Sequence, residues 1–261
     1  MGVLFKAAAF LTRRQWTRWE SLTAKPEEVQ NRLLVDIVRR NRGTRFGRDH
    51  GFDTIRSLRE YREQVAISDY ERLRPYVERA QNGEASALTA EPVLMFTLTS
   101  GSTGQPKLIP VTATARRNHR QLTRFWYYRA LVDHPDLFSG KLLGAVSPAV
   151  EGRTACGIPF GAASGLIYQS SPSWIQNAYA VPYEISEVKD FEAKYYLTMR
   201  LALEHDISFI GTPNPSTILK LVECASRTKD EIIKDIRDGT ISSRFHPPPE
   251  LRAGFARRLG K

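Results

Sequence analysis

The sequence predicts an α/β protein with layered helices and mixed sheets. Apolar residues repeat at helical spacing through much of the first eighty positions, and short uncharged apolar runs follow, the first of them over residues 93–98 (VLMFTL). Helix and strand signals then alternate between residues 190 and 239, which is typical of layers built on at least partly parallel strands. With 261 residues, of which 41% are hydrophobic, the chain can bury a sizeable core.

Helix signals come first. Pro26 suits a first helical position. The apolar stripe that we expect this helix to bury consists of Val29, Leu33 and Ile37 with the neighbours Leu34 and Val38. Ser57 and Glu60 form a capping box, which predicts a helix through residue 65. Ser68 or Asp69 offers a cap for the next helix.

Two strands and a connecting loop follow. The run at residues 93–98 reads as a buried strand, and residues 108–112 read as a return strand in which Pro110 favours a sheet edge. Thr112 or Thr114 can cap a helix running toward residue 132. We expect one face of that helix to carry Leu122, Phe125, Trp126, Arg129 and Ala130. Buried strands are also predicted over residues 142–146 and 207–210.

The remaining elements are predicted from caps and small residues. Residues 157–165 (GIPFGAASG) read as a loop that approaches either a ligand or a neighbouring backbone. Asp190 precedes a helix, and its expected buried side consists of Phe191, Tyr195, Leu197 and Leu201. Asn214 and Pro215 fit the cap and first position of another helix, and Gly239 ends the one after it.

The loop between the first two strands is rich in glycine and hydroxyl groups. Residues 97–112 read TLTSGSTGQPKLIPVT. Glycines let backbone N–H groups approach an anion closely, hydroxyls add donors, and a lysine adds positive charge. The residues that we predict to bind phosphate are Thr99, Ser100, Gly101, Ser102, Thr103, Gly104 and Lys107. The alternative is a Ser/Gly turn without a ligand.

The loop matches neither common nucleotide motif. A Walker A loop has four residues between its glycines and a lysine directly after the second, whereas Gly101 and Gly104 are separated by two residues and Lys107 comes later. No G-x-G-x-x-G fingerprint is present. Lys107 is the one candidate for a catalytic contribution, as a stabiliser of phosphate charge. The sequence offers no recognisable set of metal ligands.

Charge and cysteine usage indicate which partners and which compartment to expect. A net charge of +10 is compatible with nucleic-acid binding. Arginines are spread over all predicted helices, however, so we interpret the positive charge as a solvated basic surface that favours polyanions such as ATP. We expect no binding to nucleic acid. Cys156 and Cys224 match no metal or redox spacing and are expected to be buried thiols. Apolar residues 7–11 are too few to cross a membrane, so we expect a cytoplasmic protein without membrane contact.

Five segments together resemble a known enzyme family. They are NRGTRFGRDHGF, VAISDYERLRPYVERAQNGE, LTSGSTGQPKLIP and, further along, AYAVPYEI with GTPNPSTILKLVE. In combination they resemble the amino-terminal part of the auxin-responsive acyl acid–amido synthetase family. That family is similar in fold to the firefly-luciferase-like, acyl-adenylate-forming enzymes.

The resemblance implies an ATP-dependent, AMP-forming ligase that joins a small acyl acid to an amino acid. It implies ATP and magnesium as cofactors, and an amino-terminal nucleotide- and acyl-binding domain over residues 1–261. The aromatic face of residues 122–130 is typical of a core-facing stripe; the alternative is a wall of an acyl pocket, with Arg124 or Arg129 facing a substrate carboxylate, although the sequence places neither arginine.

The family pattern is not complete. Its second nucleotide motif, its third, acidic motif and its small mobile carboxy-terminal domain have no counterpart before Lys261, so we expect an amino-terminal fragment that is inactive alone. Three alternatives stay open: an acyl-CoA-type ligase with a thiol acceptor, a non-catalytic product that retains the loop, and a basic nucleic-acid-binding protein.

Overall fold

Five helices precede the first strand, and local capping explains where most of them begin. The computed structural model describes residues 2–99 and 106–245. The helices are α1 (Gly2–Leu22), α2 (Pro26–Asn41), α3 (Arg45–Asp49), α4 (Leu58–Gln64) and α5 (Tyr70–Gln81). Pro26 occupies the first turn of α2, as predicted. The Asp69 carboxylate accepts a hydrogen bond from the Arg72 N–H (3.1 Å), so Asp69 rather than Ser68 caps α5.

The predicted capping box of α4 forms with one change. The Ser57 hydroxyl accepts from the Glu60 N–H at 3.3 Å, as expected. The Glu60 carboxylate accepts from the backbone N–H of Arg56 at 2.6 Å, one residue before the position that a standard box uses. The two bonds still satisfy two backbone donors at the start of the helix.

Strands and helices alternate in the rest of the described chain. The elements are β1 (Val93–Thr99), β2 (Lys107–Thr112), α6 (Ala113–Asp133), β3 (Lys141–Gly144), β4 (Gly152–Arg153), β5 (Pro159–Gly161), α7 (Ala163–Ser170), α8 (Ser173–Gln176), α9 (Phe191–Ala202), β6 (Ile207–Gly211), α10 (Pro215–Arg227) and α11 (Lys229–Asp238), with a 3-10 helix at Tyr183–Glu187. The alternation confirms the predicted α/β class. Residues 157–165, predicted as a loop, instead contain β5 and the start of α7.

The strands form two sheets, both of which contain parallel pairs. The first has the order β2-β1-β5-β4, in which β1 is antiparallel to β2 and parallel to β5. The second pairs β3 with β6 in parallel. The first sheet is therefore mixed, as the sequence predicts.

The chain divides into two compact units. The hairpin unit contains residues 9–128 and 150–162, and so holds the whole β2-β1-β5-β4 sheet. The second unit contains residues 2–8, 129–149 and 163–245 of the described chain, and so holds the β3–β6 pair.

The core of the hairpin unit lies where α5 packs on the first sheet. Its fully buried centre is Phe96 of β1, which packs with Val77 and Ala80 of α5. Burying a side chain of that size stabilises the fold by roughly 1.5–3 kcal/mol. Tyr70 and Leu108 pack at the edge of the same cluster. This packing fixes α5 against the strand that follows the predicted phosphate-binding loop.

Two predicted burial faces are confirmed only in part. In α2, Val38 is buried and Leu34 packs beside it, whereas Leu33 is 55% exposed. In α9, Leu197 and Leu201 are buried as predicted, whereas Phe191 is 66% exposed. The helical period was predicted correctly in both cases, but the face that packs depends on distant partners.

The predicted face of α6 is split by the structure. Phe125 is buried, and its ring lies within 5.7 Å of both Trp16 and Trp19 of α1. Leu122 and Trp126 are more than half exposed. One aromatic residue of the predicted stripe is therefore core, and its neighbours lie on the surface of the unit.

Candidate functional site

The predicted phosphate-binding loop joins β1 to β2, and the two strands pair closely at its base. The last cross-strand pair before the loop is Thr99 with Lys107, followed down the hairpin by Leu98 with Leu108. The pairing of β1 with β5 reaches Thr97, so β1 projects beyond its parallel neighbour. The loop is therefore held at the carboxyl end of a central strand, the end at which open α/β sheets bind ligands.

β2 lies at one edge of the described sheet, which agrees with the prediction made from Pro110. Backbone groups of successive strand residues point to opposite edges. Leu108 directs its N–H and C=O away from β1, and Pro110, two residues on, shares that orientation. The missing N–H of Pro110 therefore removes no bond from the β1–β2 ladder.

The outward-facing groups of Leu108 are both bound by one side chain of α5. The Tyr70 hydroxyl accepts a hydrogen bond from the Leu108 N–H (3.0 Å) and donates one to the Leu108 carbonyl oxygen (3.2 Å). A neighbouring strand would satisfy the same two groups in the same way. Sequence reasoning missed Tyr70, because nothing local in a capped helix indicates a contact with a strand 38 residues away.

Lys107 is half-buried at the base of the loop, against the same tyrosine. Its Nζ lies 5.5 Å from the centroid of the Tyr70 ring, and the Arg74 guanidinium carbon lies at the same distance from that ring. A cation this close to an aromatic ring is attracted by its quadrupole. Within residues 2–99 and 106–245, Lys107 forms no ion pair with a carboxylate.

A carboxylate near Lys107 is neutralised mainly by another residue. Glu71 accepts two hydrogen bonds from Arg74, at 2.7 and 2.8 Å. These bonds are the largest cause that lowers the pKa of the Glu71 carboxyl, and the Lys107 charge lowers it further. Arg74 pairs with Glu71, whereas the Lys107 ammonium has no ion pair within the described ranges and is available to an anion at this end of the hairpin.

Only part of the predicted site falls within the described residues. Thr99 and Lys107 are described, and they are cross-strand partners. The predicted residues that lie outside the described ranges are Ser100, Gly101, Ser102, Thr103 and Gly104. Their assignment as phosphate ligands stays a prediction.

The two arginines considered for an acyl carboxylate both have protein partners. Arg129 forms an ion pair with Asp133 one turn along α6, at 2.7 Å. Arg124 donates a longer hydrogen bond of 3.4 Å to the Gln15 side chain of α1. The structure therefore gives neither arginine a distinct role toward a substrate.

The second unit contains a small cavity beyond the carboxyl end of β3. It has a volume of about 30 Å³ and is lined by tyrosines, by Lys194 and by Ser186. The Ser186 hydroxyl is buried without a hydrogen-bond partner, although the Lys194 ammonium donates to the Ser186 carbonyl at 2.6 Å. A space of this size holds about two water molecules, too little for an acyl chain or an aromatic ring.

Other titratable groups in the part of the chain that the structure describes have structural surroundings. His50 Nδ1 donates a hydrogen bond to the Phe46 carbonyl oxygen (2.9 Å), and its ring stacks on the Phe46 ring, which agrees with a structural role. Cys224 is buried as predicted, and burial raises the pKa of its thiol. Cys156 is exposed, contrary to the prediction, and its sulfur contacts the Gln81 carbonyl oxygen at 2.9 Å.

Residues 2–99 and 106–245 contain no group of three or more His, Cys, Asp or Glu side chains arranged to hold a metal ion. No helix within those ranges has the length and apolar character needed to cross a bilayer.

Comparison with known proteins places the chain in a family. The profile of the GH3 family N-terminal domain matches residues 15–260. The chain is 28% identical over 239 residues to the indole-3-acetic acid-amido synthetase GH3.2 of Arabidopsis thaliana, which covers 88% of this chain and 43% of the relative. It is 23% identical over 250 residues to the jasmonoyl–L-amino acid synthetase JAR4 of Nicotiana attenuata, covering 92% of this chain and 43% of the relative.

Solved structures agree on the fold. The acyl acid amido synthetase AtGH3.15, solved in complex with 2,4-DB, superposes with a TM-score of 0.76 at 24% identity, covering all of this chain and 48% of that one. A second GH3.15 structure gives a TM-score of 0.75 at 22% identity, over 89% of this chain and 41% of that one. This chain thus spans less than half the length of the relatives it matches. The match to the family profile covers most of the sequence and confirms the resemblance carried by its motifs: the chain belongs to the GH3 family.

Proposed function

We propose that this chain is the amino-terminal, nucleotide- and acyl-binding part of an ATP-dependent ligase that joins a small acyl acid to an amino acid. The observation that carries the proposal is the Gly/Ser/Thr loop on the carboxyl end of β1, closed by Thr99 and Lys107, in a chain of the GH3 family. The names of the relatives, indole-3-acetic acid-amido synthetase and jasmonoyl–L-amino acid synthetase, favour an amine rather than a thiol acceptor.

In the first proposed step a carboxylate oxygen attacks the α-phosphorus of ATP. The bond from that phosphorus to the bridging oxygen breaks, pyrophosphate leaves, and an acyl-adenylate forms. Negative charge accumulates on phosphate oxygens, so fixed donors and cations lower the barrier. We assign this work to the hydroxyl and N–H groups of Thr99, Ser100, Ser102 and Thr103 and to the Lys107 ammonium. Gly101 and Gly104 would permit the close approach of the phosphates.

In the second proposed step the amine nitrogen of an amino acid attacks the acyl carbon. The acyl–phosphate bond breaks, AMP leaves, and the amine loses a proton. Magnesium enters this proposal with ATP as part of the substrate, and no described residue of this chain is assigned to it. We also propose that the reaction takes place in the cytoplasm, without nucleic acid or membrane partners.

The proposal is tested by ATP binding to the 261-residue chain, measured by isothermal titration. Lys107→Ala removes one charge-assisted contact, worth about 1.5–3 kcal/mol, and should weaken ATP binding by one to two orders of magnitude. Lys25→Ala is the matched control, because it removes the same charge from a side chain of the hairpin unit that is 75% exposed. Thermal unfolding of both variants should stay within about 0.5 kcal/mol of wild type.

A second measurement addresses the chemistry. Acid-dependent exchange of labelled pyrophosphate into ATP is measured with a polypeptide that carries this segment together with the rest of a GH3 ligase. Lys107→Ala should reduce exchange in proportion to its effect on ATP binding or more strongly. If Lys107→Ala changes neither binding nor exchange, the loop is a turn and the ligase assignment fails. If coenzyme A replaces the amino acid as the productive acceptor, the acyl-CoA alternative holds instead.

A further inference from the structure

A single side chain of α5 reaches both the backbone and the cation at the base of the hairpin. Tyr70 is the first residue of α5, placed there by the Asp69 cap. Its hydroxyl binds the N–H and the C=O of Leu108, and its ring lies 5.5 Å from the Lys107 ammonium. These two neighbouring residues are the first two of β2.

The two hydroxyl bonds matter because of where Leu108 lies. β2 is at the edge of the described sheet, so an outward N–H and C=O there would otherwise be left to solvent. Tyr70 occupies the place of a partner strand for one residue only, next to the position that bears the ammonium. Rotation or fraying of β2 at its start would move the Lys107 side chain, and the hydroxyl opposes both.

The ring acts on the ammonium itself. Lys107 carries a flexible four-carbon stem, and ordering that stem costs conformational entropy when an anion binds. Contact with the Tyr70 face restricts the stem in advance, and no carboxylate of the described chain ion-pairs with the ammonium and competes with an incoming phosphate. A cation held by a neutral ring is thus ordered and still charged.

We propose that Tyr70 is a positioning residue that sets the Lys107 ammonium and the start of β2 for polyphosphate binding. This inference rests on the proposed function, since it requires that Lys107 meets phosphate. Tyr70 touches no substrate in this proposal. It acts through Lys107.

The test uses Tyr70→Phe in the 261-residue chain, with ATP, inorganic tripolyphosphate and adenosine as probes. The variant keeps the ring and loses both hydrogen bonds to Leu108. We expect about tenfold weaker binding of ATP and tripolyphosphate and unchanged binding of adenosine. A general loss of structure would weaken all three probes, so the contrast separates positioning from stability.

The matched control is Tyr76→Phe. Tyr76 belongs to the same helix, and its hydroxyl also makes a hydrogen bond, to the Asp49 carboxylate at 3.0 Å. Removing that hydroxyl should lower stability slightly and leave polyphosphate binding unchanged. If Tyr76→Phe weakens polyphosphate binding as much as Tyr70→Phe does, the effect comes from α5 as a whole and the inference is overturned.

The double variant Tyr70→Phe with Lys107→Ala shows whether the two residues act together. If Tyr70 acts through Lys107, adding Tyr70→Phe to Lys107→Ala should weaken binding much less than it does in wild type. Fully additive losses would overturn the inference. If Lys107→Ala weakens polyphosphate binding and Tyr70→Phe does not, the inference is overturned and the proposed function stands. If Lys107→Ala leaves binding unchanged, the proposed function itself is refuted.

Hydrogen exchange in the unmutated chain keeps the inference testable if Tyr70→Phe folds poorly. The Leu108 amide lies on an edge, yet its bond to the Tyr70 hydroxyl should slow its exchange about tenfold or more relative to an unprotected amide. Exchange at the unprotected rate would mean that the Tyr70 bond does not persist in solution, and the inference would fail.

Discussion

Arg200 offers the strongest test of how the second unit is held together. Its side chain is fully buried in α9 and makes three hydrogen bonds. Nε donates to the Thr240 carbonyl (3.1 Å), one terminal nitrogen to the Asp235 carbonyl (2.8 Å), and the other to the Glu204 carboxylate (2.5 Å). The guanidinium thus ties the end of α11 and the chain beyond it to α9.

Replacing Arg200 with methionine keeps much of the volume and removes all three donors. Two backbone carbonyls lose charged donors, and each lost bond of this kind costs about 1.5–3 kcal/mol when the acceptor stays buried. The Glu204 carboxylate is 32% exposed and can bind water instead, so losing its bond to Arg200 costs less. We expect a total destabilisation of about 3–5 kcal/mol, a large fraction of the roughly 5–15 kcal/mol that holds a typical domain.

The assay is urea unfolding followed by far-ultraviolet circular dichroism and tryptophan fluorescence. Trp174 belongs to the second unit, where it packs on Phe5, and it adds a local signal. The control is Arg227→Met, whose side chain is 63% exposed and pairs with Glu192 at 2.9 Å, a surface pair worth about 0–1 kcal/mol. If Arg200→Met costs no more than Arg227→Met, the buried guanidinium does not hold this unit and the reasoning is refuted.

Two further predictions concern a carboxylate and a glycine. Hydrogen bonds from the Thr114 hydroxyl and N–H hold the pKa of Glu91 below its ordinary value of 4.5, so the stabilisation is present above that pH and is lost as the pH falls through the lower folded-state pKa. Glu91→Gln should therefore flatten the fall in thermal midpoint below about pH 4.5. A Cβ on Gly165 would lie 2.3 Å from the Ser147 carbonyl oxygen, so Gly165→Ala should lower the free energy of unfolding by about 1–3 kcal/mol, whereas Gly43→Ala, with nothing within 4 Å, should change it by less than about 0.5 kcal/mol in equilibrium denaturation.

Elements fixed by local chemistry could be predicted from the sequence. Asn214 caps α10 through the Ser216 N–H at 3.0 Å, and Gly239 ends α11 with a positive φ of 65°, both as expected from residue type alone. The hairpin of β1 and β2 could also be predicted, because an apolar run, a Gly/Ser loop and a proline-bearing return strand are neighbours in the chain.

Contacts between segments that are distant in the chain could not be predicted from the sequence. In α9 a search for an apolar stripe selects Phe191 and passes over Arg200, yet the arginine is buried because Asp235 and Thr240 supply acceptors from another helix and the chain after it. The pairing of Tyr70 with Leu108 is of the same kind. A hydrogen bond between residues so far apart in the chain produces no periodic sequence pattern in either segment.

The open edge of β2 links the fold to the proposed site. An edge strand leaves alternate backbone groups unpaired, and proteins usually cover them or remove them. Here Tyr70 covers the groups of Leu108, and Pro110 removes the next outward N–H. The hairpin base is therefore held from one side by the β1 ladder and from the other by α5, without a further described strand on that edge. Under the proposed function the Lys107 ammonium meets phosphate, and Lys107 lies at this held base of the hairpin.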